Sequence, residues 1–204
     1  MQTTTKSIVE NRDCMAAMVE FPDKFFDLAV VDPPYGIGIS GNSFRQKHTD
    51  KGWDFSIPTD DYFNELKRVS KDQIIWGGNY FPLPVSQGFI IWDKVQPEDF
   101  SSAMCELAWS SIQSPAKIFK LHVVTAEKNK IHPTQKPVKL YSWIYSKYLP
   151  DGGKVLDTHL GSGSNRIAAD KSGNIDFWGY ELDKDYYEAQ EKRWKDYKQQ
   201  IKLF

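Results

Sequence analysis

Cysteine is nearly missing from this sequence: Cys14 and Cys105 stand far apart among 204 residues and form no Cys-x-x-Cys pair. That argues against a disulfide framework and a thiolate zinc site and leaves two ordinary reduced thiols. The four histidines lack the short spacings of a ligand set, so no metal is expected. No apolar run approaches the roughly 20 residues that span a bilayer. The polar opening at 1–6 also lacks the hydrophobic centre of a secretory signal, and a cytoplasmic protein is expected. Charge of one sign is not in excess either, since 26 Lys and Arg face 27 Asp and Glu. Any surface for a polyanion must therefore be local. Repeats, low-complexity tracts and Gly/Ser linkers are absent. What remains, 40% hydrophobic and 14% aromatic residues in a chain of single-domain length, describes a globular fold.

Apolar periodicity alternates between strand and helix. A short stretch at 15–21 reads as helical, and the apolar run at 26–31 reads as a buried strand ending abruptly at Asp32-Pro33-Pro34. Residues 60–69 put Tyr62, Phe63, Leu66 and Val69 on one helical face, and Gln73-Ile74-Ile75-Trp76 follows as a strand closed by Gly77-Gly78. Two further strands, at 88–92 and 104–110, have no helical pattern between them and suggest an antiparallel, hairpin-like edge. A helix can begin near Pro137 and end at Pro150-Asp151-Gly152-Gly153. Strand 154–157, helix 165–171 with Gly173 as its cap, strand 177–181 and a long charged helix complete the chain. This rhythm predicts a three-layer α/β fold.

Two places in that scheme can carry chemistry. Strand 154–157 runs into Gly161-Ser162-Gly163-Ser164 and then a helix, a turn that lets backbone approach a nucleotide-like cofactor. Arg166 stands where a dinucleotide fingerprint has its third glycine, and no Gly-Lys-Ser/Thr follows. Dinucleotide and ATP sites are both disfavoured. Glu181, about 20 residues on, ends the next strand where an acidic side chain receives ribose hydroxyls, so a nucleoside cofactor without a critical phosphate fits. The second place is Asp32-Pro33-Pro34-Tyr35, whose prolines stiffen a strand-end loop. A carboxylate and a neighbouring backbone carbonyl can accept both hydrogens of an exocyclic amine while an aromatic ring stacks on the base that bears it. A plain strand-ending turn with a packed tyrosine is the alternative for this loop taken alone.

Asp32-Pro33-Pro34-Tyr35, then His132-Pro133-Thr134-Gln135-Lys136-Pro137, then the loop from Asp157 to Ser164, taken in that order, resemble the beta-class amino-methyltransferases of DNA. The resemblance covers most of the chain. Trp76-Gly77-Gly78-Asn79-Tyr80-Phe81 and Glu106-Leu107-Ala108-Trp109 look like versions found in small phage-type members. It implies a Rossmann-like, S-adenosylmethionine-dependent methyltransferase fold: a seven-stranded mixed sheet with one antiparallel strand and helices on both faces, circularly permuted so that the catalytic motif precedes the cofactor motif. It implies one domain over 1–204, with a catalytic half at 1–112, a short connection at 113–131 that can touch DNA, a cofactor half at 132–204, and no large target-recognition domain.

By the same resemblance, Asp32 and the Pro33 carbonyl hold the target amine, Pro34 completes the loop, and Tyr35 stacks on a base flipped out of double-stranded DNA. Asp32, Asp157, His159, Gly161, Ser162, Gly163 and Ser164 line the S-adenosylmethionine site and Glu181 takes its ribose. Asp13 and Cys14 edge its adenine, and Thr134, Gln135 and Lys136 meet its methionine end. Thr158-His159 stand where most members carry Pro-Phe, so that wall of the site differs. Arg45, Lys47 and Lys51 in segment 36–51, and the basic segment 114–130, are the candidates for phosphate contact. An aspartate heading the Pro-Pro-Tyr motif points to adenine N6 as the target. Cytosine N4 is the nearest alternative, and a catalytically silent DNA-binding module is a second. A nicotinamide oxidoreductase is weaker because the glycine fingerprint is incomplete. Many relatives are dimers, so a homodimer is allowed, and a restriction partner is left open.

Overall fold

A computed structural model describes residues 5–38, 56–99, 103–122 and 130–201. Eight strands form one sheet: β1 (Ser7–Glu10), β2 (Phe26–Val31), β3 (Ser70–Trp76), β4 (Phe89–Asp93), β5 (Cys105–Ser110), β6 (Lys117–Lys120), β7 (Gly153–Asp157) and β8 (Ile175–Tyr180). Their spatial order is β1-β8-β7-β2-β3-β5-β4-β6. Among the described strands β5 alone is reversed, running antiparallel to both β3 and β4. The sheet therefore has eight strands rather than the expected seven, with the expected single antiparallel strand.

The two strands missed in the sequence are the two edges. Each is four residues long, too short to show a convincing alternation. β6 lies inside the segment expected to be a connection, where Lys117 and Lys120 flank Ile118 and Phe119. Lysines suit an edge strand because they discourage further pairing. β4 and β5 pair antiparallel as anticipated, but β6 adds parallel to β4 and takes the edge from them.

Period-two alternation divides the core. Leu28 and Val30 of β2, with Ile74 and Trp76 of β3, face α3 (Val138–Tyr148) and α4 (Ser164–Ser172). Ala29, Val31 and Ile75 point the other way, into α1 (Cys14–Met18) and α2 (Asp60–Val69). A strand buried on both faces reads as a continuous apolar run, which is why 26–31 shows no polar face. The last helix, α5 (Lys184–Ile201), reaches α4 through Arg166, which donates to Gln190 at 3.1 Å and lies over the Trp194 ring.

At β2 and β7 the strand order reverses, because β2 leads outward to β3 on one side while β7 leads to β8 on the other. Asn165, buried in the first turn of α4, ties this junction together. Its amide donates to the Val30 carbonyl at 3.0 Å and to Asp157 at 2.9 Å, and its oxygen accepts from the Tyr145 hydroxyl. Every polar atom of the side chain is used. Asn165→Ala strands three buried partners at once, so it is expected to cost about 2–4 kcal/mol, measured by chemical denaturation. A loss under about 0.5 kcal/mol contradicts this role.

Candidate active site

Ligand crevices in sheets of this kind open beyond the carboxyl ends of the strands, at the reversal of strand order. A cavity of about 450 Å³ lies there, inside the usual range for a small-molecule site. Loops following β1, β2, β7 and β8 and the turn before α3 line it. β2, β7 and β8 are buried at their carboxyl ends, so the sheet fixes where the residues that directly follow them stand.

Beyond β2, the Asp32 carboxylate accepts from the Tyr35 hydroxyl at 2.6 Å and from the Lys136 ammonium. Lys136 is the last polar residue of the turn before α3. That turn is closed internally: the Ile131 N–H donates to the Gln135 side chain at 3.0 Å and the Thr134 N–H to the His132 ring at 3.3 Å. The Lys136 side chain is only 1% exposed and reaches a second carboxylate, Glu106, at 3.2 Å. Glu106 is paired in turn with Lys94 at 2.7 Å. Because β5 is reversed, its first residues lie at the same end of the sheet as the last residues of β2 and β4, which brings Glu106 into this row. Burial pushes the Asp32 carboxyl up from its ordinary value while Lys136 pulls it down, leaving it raised. Burial also opposes the charge of Glu106, but Lys136 and Lys94 prevail and hold it low.

The Tyr35 ring stacks on Tyr80, with centroids 5.0 Å apart and planes at 15°. It also lies against Gly77, where a Cβ would come within 2.2 Å of the ring and where φ is +71°. Only glycine suits that position.

Across the cavity, Gly161 and Gly163 adopt positive φ, which shapes the loop after β7. The Gly161 N–H donates to Glu181 at 2.8 Å and the Asp183 N–H donates to its other oxygen at 2.9 Å. From α5, Arg193 donates to the Ser162 carbonyl at 2.6 Å and to Ser164 at 2.9 Å. Burial raises Glu181, and it pushes Asp157 up to about 7 despite hydrogen bonds from Asn165 and the His159 N–H. Thr158 and His159 belong to a polar cluster with Tyr62 of α2: Tyr62 and Thr158 hydroxyls are 2.6 Å apart, and Thr158 lies 2.9 Å from the His159 ring nitrogen. Burial lowers His159 to about 4, so it stays neutral at ordinary pH. A hydroxyl from α2 at this wall gives Thr158-His159 a partner that a Pro-Phe pair could not use.

Of the residues expected to line a cofactor site, Asp13, Cys14, Asp32, Thr134, Gln135, Lys136, His159, Gly161, Ser162 and Glu181 border the cavity, as does Pro34. Asp157, Gly163, Ser164, Pro33 and Tyr35 are not among the residues that line it. Lys136, expected at the methionine end of a cofactor, has its ammonium between Asp32 and Glu106. Arg12, His132, Tyr141 and Tyr186 border the cavity without having been anticipated. His132 was legible as part of its motif, whereas Tyr141 and Tyr186 show only helical core spacing. Glu106 falls in the family-like stretch Glu106-Leu107-Ala108-Trp109, which gave it no role of its own, and Lys94 carries no local signal of a site. Arg45, Lys47 and Lys51 lie outside the described residues.

Comparison with known proteins adds to this geometry. The family model described as DNA methylase matches residues 75–192. The chain belongs to the N6/N4 DNA methylase family. The Escherichia coli (strain K12) protein named as methylase YubD is 28% identical over 201 residues, covering 89% of this chain and 87% of that one. The fold is that of solved methyltransferases: M1.HpyAVI in complex with SAM has a TM-score of 0.64 at 19% identity, covering 91% of this chain and 98% of that one. The cytosine-N4-specific PvuII DNA methyltransferase has the same TM-score at 14% identity, covering 92% and 86%. In this N6/N4 DNA methylase, the matched residues 75–192 contain Glu106, the turn at Lys136 and the glycine loop.

The raised Asp157 makes a pH test of the site. Its folded form holds a proton more tightly than the unfolded chain does, so its contribution to stability is complete below the ordinary value of 3.8 and is lost as pH rises through about 7. Asp157→Asn should therefore gain stability relative to wild type over that interval, on the order of 2–4 kcal/mol. Denaturation of both proteins across pH measures it, and a pH-independent difference contradicts the assignment.

Proposed function

We propose that this chain transfers a methyl group from S-adenosylmethionine to the 6-amino group of an adenine flipped out of double-stranded DNA, its two halves working as one methyltransferase domain. The observation that carries the reading is a carboxylate, Asp32, held at the cavity by a proline-stiffened loop with Tyr35 and Tyr80 stacked beside it.

The residues present suit such a cofactor. Asp157 and Glu181 stand on the cofactor side of the cavity with their protons held more tightly than usual, and a ligand bearing positive charge relieves that cost. Glu181 keeps acceptor capacity for ribose hydroxyls beyond the two backbone donors it serves. Asp13 and Cys14 border the adenine end, and Thr134 and Gln135 the amino-acid end. When bound, S-adenosylmethionine supplies an electrophilic methyl group on a sulfonium.

The protein's part is orientation and charge. An adenine amine is a poor nucleophile because its lone pair is delocalised into the ring. Asp32 and the Pro33 carbonyl accept its two hydrogens, which turns the lone pair toward the methyl group and fixes the line of attack. As the nitrogen gains positive charge, a preorganised carboxylate opposes it better than water can. The Tyr35–Tyr80 stack supplies aromatic surface for the extruded base. Adenine is favoured over cytosine because an aspartate, not a serine, heads the motif.

Asp32→Ala is expected to reduce methyl transfer to DNA at least about a thousandfold while changing S-adenosylmethionine affinity, read by calorimetry, less than about threefold. Equal losses of rate and cofactor affinity contradict the role given to Asp32.

A further inference from the structure

Four charged groups from four separate elements form a row that starts at the cavity wall: Asp32 after β2, Lys136 before α3, Glu106 on β5 and Lys94 after β4. Within it Lys136 touches two carboxylates at once. If Asp32 takes an amine, this is an awkward neighbour. An ammonium clamped on that carboxylate competes with the incoming N–H groups and repels the positive charge that grows on the nitrogen. Glu106 is not among the residues that line the cavity, and its two oxygens are taken by Lys136 and Lys94. Structural burial does not require it, since an apolar pair in place of a buried ion pair is often as stable.

We propose that Glu106 is a positioning residue for methyl transfer: by sharing the Lys136 ammonium with Asp32, it lets Asp32 release that ammonium when the target amine arrives. The inference rests on the proposed role of Asp32. Lys94, paired with the other oxygen of Glu106, keeps Glu106 ionised and in place. No atom of Lys136 need travel far, because both carboxylates are already within reach of its nitrogen. Without Glu106 the ammonium has a single carboxylate partner, and the amine must displace it entirely.

The test is the rate of methyl transfer to DNA as a function of pH for wild type, Glu106→Gln, Lys136→Met and the double variant, with Asp32→Ala in parallel. Asp32 is faced by Tyr35 from its own loop, Lys136 from the turn before α3, Glu106 from β5, Tyr141 from α3, Tyr62 from α2 and Asp157 from β7. Removing the Glu106 charge makes Asp32 easier to ionise. Glu106→Gln should therefore shift the acid limb of the profile to lower pH while its plateau falls roughly tenfold or more, with cofactor affinity unchanged and Glu106→Asp retaining more of the rate. A merely structural defect has no reason to move the limb in that direction while lowering the plateau.

Should Glu106→Gln fail to fold, the double variant, which removes one charge of each sign, still decides. With Lys136 gone Glu106 has nothing to share, so Lys136→Met and Lys136→Met/Glu106→Gln should have equal plateau rates. A further loss in the double variant, or a wild-type plateau in Glu106→Gln, overturns the inference. An active wild type with an inactive Asp32→Ala and either of those results removes only the role of Glu106. An inactive wild type, or an active Asp32→Ala, removes the reading of the site and this inference with it.

Discussion

The parallel pairing of β2 with β7 is the constraint on which the chemistry of this chain depends. These strands come from opposite ends of the sequence and meet in register at Leu28 with Val155 and Ala29 with Leu156. Both point their carboxyl ends the same way, so Asp32 and Asp157, each just at or past a strand end, arrive at one crevice. Neither half encloses the cavity alone. Asn165 reinforces the join by bonding to β2 and β7 together, and that explains a buried asparagine in a helix whose neighbours are largely apolar.

Electrostatics at the crevice is unevenly balanced. On the β7 and β8 side, Asp157 and Glu181 are served by backbone and amide donors, without an ion-paired lysine or arginine of their own among the described contacts. On the β2 side, Lys136 and Lys94 alternate with Asp32 and Glu106. The first side is suited to a cationic ligand, and the second is internally neutral. That division separates a place for a positively charged methyl donor from a place for a neutral amine, with Asp32 bordering both.

Most of the fold was legible because central strands carry short apolar runs, at 28–31 in β2 and 74–76 in β3, and helices carry one-sided stripes. The edge strands β1 and β6 were not, since half-exposed four-residue segments leave no periodic trace, and the lysines of β6 point as readily to a loop. Within the site, Asp32, Glu181 and the glycines were readable from their positions after strands. Glu106 was legible only as part of a family-like stretch and Lys94 not at all, because their meeting depends on β5 running backward between β3 and β4. That pairing is long-range, and a single acidic residue in a strand looks like any solvent-facing position. Lys136 was noticed for its motif, but its partners depend on tertiary packing.

The most direct test of the central claim is the product itself. Purified protein incubated with unmethylated double-stranded DNA and S-adenosylmethionine, followed by digestion to nucleosides and mass spectrometry, identifies the base that gains the methyl group. N6-methyladenine is the predicted result. N4-methylcytosine would contradict the base assignment while keeping the amine-directed role of Asp32, and no methylated base would contradict the account as a whole.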